Sequence, residues 1–208
     1  MTEPRIAVVP EADATPLVRL LTRTIRASLL QRPDLAALPT GLGPVVVRSA
    51  GDAQAATVVT SADGIRVVGG ADAAARAVLT VDIPRRLEVV GSDADGHESL
   101  VQFVSDLLRP TLPEWRDAAR SFWAATGSDV GMPRTLVIEN SEVEGDVLQL
   151  GDGMPRYVVH GSPDRLAGVF TGADSFLDEV FAGSLLVRGT LPQLSVMAGA
   201  SYKVRFHV

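Results

Sequence analysis

The sequence predicts an α+β protein: antiparallel-rich sheets with helices on one face, in a pattern that occurs twice along the chain. Three observations predict it. Amphipathic helical segments are interleaved with short Val-rich runs. Turns carrying Gly or Asp separate those runs at close spacing, as in an antiparallel meander. The order strand, turn, strand, strand, helix appears in both halves of the 208 residues.

The first element is a helix over Pro16 to Gln31. Thr15 can cap it, and Pro16 sits at the first helical position, where its missing N–H costs nothing. Leu17, Leu21, Ile25 and Leu29 recur every fourth residue and form one apolar face, with Arg19, Arg23 and Arg26 elsewhere. Strands follow at Pro44 to Arg48, Ala56 to Thr60, Ile65 to Val68 and Ala75 to Val81. A short helix is expected from Pro84, carrying Leu87 and Val90. A stronger one is expected from Glu98 to Leu108, with Leu100, Phe103, Val104 and Leu107 on one face. Pro110 ends it. Thr111-Leu-Pro-Glu114 has capping-box spacing and opens a helix to about Ala125, stopped at Gly127. Its face is Leu112, Trp115, Ala119 and Phe122.

The second half begins with strands at Thr135 to Glu139, Asp146 to Leu150 and Arg156 to His160. Ser162-Pro163-Asp164 starts a helix with Leu166, Val169 and Phe170 beneath it. Ser175 caps another that ends at Gly183. Ser184 to Arg188 is a strand, and Thr190-Leu-Pro-Gln193 caps a helix through about Met197. Tyr202, Val204, Phe206 and Val208 alternate, which predicts a closing strand over Ser201 to Val208. A chain that ends by feeding its core reads as untruncated. The expected division is 1–127 for the first half with its leading helix, and 134–208 for the second; packing of the two halves as one unit is the alternative.

The repeat rests on three alignments. Val45-Val-Val-Arg48 parallels Leu136-Val-Ile-Glu139, and Ser61-Ala-Asp-Gly64 parallels Leu150-Gly-Asp-Gly153. Arg76-Ala-Val-Leu-Thr with Pro84-Arg-Arg-Leu87 parallels Arg156-Tyr-Val-Val-His with Pro163-Asp-Arg-Leu166. The first copy has an extra strand at Ile65 and lacks an equivalent of Phe176 to Arg188.

Composition sets limits on function. Hydrophobic residues make up 46% of the chain, and mean hydropathy is +0.20, so a large core is available. The net charge of −6 and the near-absence of Lys, with Lys203 alone, leave no basic patch for a nucleic-acid backbone. Aromatics at 5% offer few stacking platforms for bases. The Arg-for-Lys, Ala- and Val-rich usage fits a GC-rich bacterial genome. There is no cysteine, which excludes disulfides, thiolate nucleophiles and Cys-ligated metals. No apolar run reaches the length of a membrane span, and the first residues do not read as a signal peptide, so a cytoplasmic protein without stable membrane insertion is expected.

The second half carries a family resemblance. Leu148-Gln-Leu-Gly-Asp-Gly153, Val158 to Phe170, Phe176 to Thr190 and Leu191-Pro-Gln-Leu194 together resemble a sterol carrier protein domain over about 75 residues; the first half matches more weakly over about 45. The resemblance implies a five-stranded, mostly antiparallel sheet with helices on one face. It also implies an apolar tunnel between the two layers for a fatty acyl chain, sterol or similar lipid. The apolar wall would be Leu166, Val169, Phe170, Phe176, Leu177, Val180 and Phe181. Arg156, Arg165 and Arg188 are the candidates to hold a headgroup, because a guanidinium forks onto a carboxylate. The chain departs from the family in having two copies and a different closing segment.

Catalytic signatures are absent. His97, His160 and His207 are far apart and lack metal-ligand spacing. Gly-x-Ser-x-Gly, Gly-x-Gly-x-x-Gly and the phosphate-loop motif do not occur, and Gly41-Leu-Gly43 reads as a loop. Asp93/Asp95, Glu142/Glu144 and Asp178/Glu179 fall in loops or at helix starts, where carboxylates suit the helix dipole. The expectation is a non-enzymatic protein without cofactor or metal that binds an apolar small molecule or lipid. The alternative is a ligand-free interaction or dimerisation module that partners an enzyme, and a homodimer is compatible with either.

Overall fold

The computed structural model describes residues 6–36, 43–61, 64–94 and 96–206. It is an α+β structure with six α-helices and two mixed sheets among those residues, divided into two compact units, Met1–Thr111 and Leu112–Val208.

Unit 1 starts with strand β1 (Ala7–Pro10) and helix α1 (Pro16–Gln31). The helix begins where the sequence places it: Thr15 accepts from the Val18 N–H at 3.5 Å. A 3-10 turn at Pro33–Ala36 follows. Strands β2 (Val45–Ser49), β3 (Ala55–Ser61), β4 (Gly64–Gly69), β5 (Ala77–Asp82) and β6 (Glu88–Asp93) precede helix α2 (Glu98–Leu107). The sheet order is β1-β4-β3-β2-β5-β6. Strand β1 was not expected; it joins β4 in parallel, and Arg26 Nη2 of α1 donates to its Val8 carbonyl at 2.7 Å. Both helices pack on one face of this sheet. Helix α1 lies over β1, β4 and β3 with Leu17, Leu21 and Ile25 buried, α2 lies over β5 and β2, and Ser28 of α1 donates to the Leu107 carbonyl of α2 at 2.8 Å.

Two expectations for unit 1 are corrected. The four middle strands do not form a simple meander, because β5 crosses back to pair in parallel with β2. The helix expected from Pro84 is a turn leading into β6. Arg86 and Leu87 take φ of 53° and 61°, a left-handed conformation that cannot continue a right-handed helix, and this places Leu87 in the core.

Unit 2 comprises helix α3 (Trp115–Thr126), strands β7 (Thr135–Asn140), β8 (Val147–Gly151) and β9 (Arg156–Gly161), helices α4 (Pro163–Thr171) and α5 (Phe176–Phe181), strand β10 (Leu185–Arg188) and helix α6 (Leu191–Phe206). The sheet order is β10-β9-β7-β8. The core joins Leu136, Ile138, Tyr157, Val159 and Leu185 of the sheet to Trp115, Phe122, Leu166, Phe170, Phe176 and Met197 of the helices. Trp115, Ala118, Ala119 and Phe122 belong to this core, so α3 clusters with unit 2, whereas the boundary expected at residue 127 put it with the first half.

The capping of unit 2 follows its sequence in part. Thr190 and Gln193 form the reciprocal box: the Thr190 N–H donates to Gln193 Oε1 at 2.8 Å and the Gln193 N–H to Thr190 Oγ1 at 3.4 Å. Ser175 accepts from the Asp178 N–H at 3.5 Å. The box expected at Thr111 does not form; Glu114 is the N-cap of α3 and accepts from the Arg116 N–H at 2.8 Å. The closing strand is also overturned. Residues 201–206 continue α6, with Met197, Ser201 and Arg205 buried at a spacing of four, and Tyr202 stacks on Phe206 at 5.9 Å. His207 and Val208 lie outside the described residues.

The two units share a plan. Each runs helix, four common strands, helix, and the strands lie in the order β3-β2-β5-β6 and β8-β7-β9-β10 with antiparallel, parallel and antiparallel neighbours in turn. The parallel registers match as well: Val45 pairs with Ala77 as Leu136 pairs with Tyr157. Unit 1 adds β1 and β4; unit 2 puts α4 and α5 where unit 1 has the Pro84 turn. The turn alignment at 61–64 does not follow this register, since Val58 rather than Ser61 takes the place of Leu150, and residues 62–63 lie outside the described set.

Candidate functional site

An open cleft of about 410 Å³ lies on unit 2. The entry to α3 supplies Leu112, Pro113, Glu114, Trp115 and Arg116; the β7–β8 hairpin supplies Asn140 and Asp146; the start of α4 supplies Pro163, Asp164 and Ala167. Trp115 and Ala167 are each 3% exposed and belong to the core, so the floor of the cleft is the outer surface of the packed interior.

A polar tie holds one wall. Arg116 Nη2 forms a short ion pair with Asp146 Oδ1, and the other Asp146 oxygen accepts from Asn140 Nδ2 at 2.7 Å. Asn140 Oδ1 in turn accepts from the Glu142 N–H at 2.9 Å, so this amide is satisfied at both ends. Arg116 Nη1 also meets Glu114 Oε1 at 3.1 Å, and its guanidinium carbon stands 4.3 Å from the Trp115 ring centroid. The tie fixes the start of α3 against the hairpin. The rim carries three carboxylates, Glu114, Asp146 and Asp164, against the single Arg116 cation.

The residues expected to line a tunnel are placed differently from the cleft. Leu166, Val169, Phe170 and Phe176 are at most 2% exposed and sit in the core, and Leu177 and Val180 pack against it. Phe181 points outward at 79% exposure. The three arginines are exposed on separate elements: Arg165 pairs with Glu179 at 3.0 Å and Arg188 with Glu139 at 2.9 Å. None of these ten residues lines the cleft. His160 Nδ1 faces Glu139 Oε2 at 3.6 Å on β9 and β7. Among the described residues no three His, Asp or Glu side chains gather as a metal site, and no helix is long and apolar enough to cross a membrane.

Two buried groups escaped sequence reasoning. Tyr157 is fully buried on β9, its hydroxyl has no hydrogen-bond partner among the described residues, and burial pushes it up to about 12. Arg205, 5% exposed in α6, donates through Nη1 to the Gly172 and Ala173 carbonyls at 2.9 and 2.7 Å beyond the end of α4. Burial pulls its guanidinium below the ordinary value, opposed by Asp174 and Asp178. Gly172 has φ of 73°, and a Cβ there would stand 2.7 Å from the Arg205 Cα, so the turn requires glycine on both counts. The strand expected over 201–208 hid Arg205, and an alternating apolar pattern carried no sign that Tyr157 is orphaned.

No protein-family model, no curated protein and no solved structure matches the chain.

Proposed function

We propose that the protein is a non-catalytic binding module of the sterol-carrier type, working in the cytoplasm on an apolar ligand that enters unit 2 through the cleft over Trp115 and Ala167. The observation that carries this reading is the cleft itself. Its volume of about 410 Å³ falls in the range of small-molecule sites, and its floor is apolar while its rim is polar. The layering of helices on one face of each sheet is in keeping with the family resemblance, as is the row β4-β3-β2-β5-β6 in unit 1.

The rim narrows the ligand. Three carboxylates against one arginine disfavour an anionic headgroup, so a sterol or an esterified acyl chain fits better than a free fatty acid. Each methylene buried contributes roughly 0.8 kcal/mol, and about ten give micromolar binding once the cost of association is met. Delipidated protein titrated with a fluorescent sterol should saturate at one site in unit 2, with a fluorescent fatty acid binding more weakly. Equal or stronger binding of the fatty acid contradicts the assignment of the rim. Asp164→Arg should shift the preference toward the fatty acid.

A second reading, an interaction module with a filled interior, is favoured by one observation. Leu166, Val169, Phe170 and Phe176 are at most 2% exposed and belong to the packed core rather than to the cleft.

A further inference from the structure

The edges of the two sheets differ in a way that has a functional consequence. Strands β6 and β10 hold equivalent places: each is the last strand of its sheet and pairs antiparallel with the strand beside it. Following the shared register, Gly91 stands where Leu186 does, Ser92 where Val187 does and Asp93 where Arg188 does. Edge β6 carries the usual protections against edge-to-edge pairing, with charges at Glu88 and Asp93 and a register shift opposite Thr80/Val81. Edge β10 reads Leu185-Leu186-Val187-Arg188. Its one charge is held by Glu139, Leu186 is 62% exposed, and Phe181 and Leu191 flank the strand at 79% and 80% exposure. The fold thus contains its own control: the same edge is blunted in one unit and left apolar in the other.

We propose that β10 is a homodimer interface, pairing antiparallel with β10 of a second copy so that the two four-stranded sheets of unit 2 become continuous. The occupant follows from self-complementarity. In an antiparallel pair, directly opposed residues share a face, so a two-fold axis must run between the two copies of one residue, which then oppose each other. With the axis at Leu186, the two Leu186 side chains oppose each other on one face. Leu185 then opposes Val187 on the other, and Arg188 opposes Ser184. Apolar groups meet apolar groups and no like charges face each other. An extended acidic segment would meet only Arg188, which is already paired. The proposal is independent of the ligand reading, since it is read by mass rather than by binding.

The test is sedimentation equilibrium of the full chain across concentration. The wild type should be dimeric in the micromolar range. Leu186→Lys, which places two ammonium groups on the axis, should weaken the dimer roughly a hundredfold or more. Val147→Lys, on the opposite edge strand β8, should leave it intact. Because the chain has no cysteine, Leu186→Cys supplies a second readout: oxidation should join two copies through a disulfide faster than it does for Val147→Cys. A monomer at all concentrations, a dimer indifferent to Leu186→Lys, or equal cross-linking at the two positions would overturn the proposal.

Discussion

Tyr157 places a phenol in an apolar interior. Its hydroxyl gives up water without gaining a partner among the described residues, so Tyr157→Phe should leave stability unchanged or raise it by about 1 kcal/mol, read from the denaturant midpoint at neutral pH. The pH dependence has a definite sign. An unfolded tyrosine ionises near 10, and this one only at about 12 when folded. The folded state therefore holds the proton more tightly. The stabilisation is complete below pH 10 and is lost as pH rises from 10 through 12, an effect on the order of 2 kcal/mol. The Phe variant should lack that part of the alkaline loss; an identical alkaline profile would contradict the burial. Arg205 is the opposite case, a buried cation whose Nη1 holds two carbonyls. Arg205→Met keeps the bulk but strands two carbonyls and removes the cation facing Asp174 and Asp178, and should cost about 2–4 kcal/mol of unfolding free energy.

At the scale of elements, legibility followed local chemistry. The start of α1 at Thr15-Pro16, the box at Thr190 and Gln193 and the cap at Ser175 were readable, because each is set by residues within one turn. The failures came where distant packing decides. Glu114 rather than Thr111 caps α3, since Arg116 and Trp115 must meet Asp146 and the core. The Pro84 segment copies the spelling of Pro163 yet turns back within five residues, because β6 must pair with β5. An alternating run at residues 201–206 became helix because its burial follows a spacing of four. The tie at Asp146 belongs to this scale too. Asp146→Ala should free Arg116 and Asn140 together, loosening α3 from the hairpin at a cost of about 1–3 kcal/mol, and hydrogen exchange at the start of α3 should rise with it.

At the scale of the molecule, the repeat was the most informative reading. Aligning Val45 with Leu136 and Arg76 with Arg156 matches strands that hold equivalent places in the two sheets, although their parallel pairing departs from the antiparallel meander expected. The strand order was not legible, since which edge a strand joins leaves no mark in a short Val-rich run. The cleft was legible only in its parts. Leu112 and Trp115 were read as a core face, but their nearness to Asp146 and Asp164 is a product of the fold. The central claim is that this cleft takes an uncharged apolar ligand, and the chain offers a direct probe in its two tryptophans. Trp123→Phe leaves Trp115 as the sole indole. Titrating that delipidated variant with a sterol should shift the Trp115 emission in a saturable curve of one ligand per chain. An emission unchanged to saturating sterol, with the protein still folded, would contradict the account.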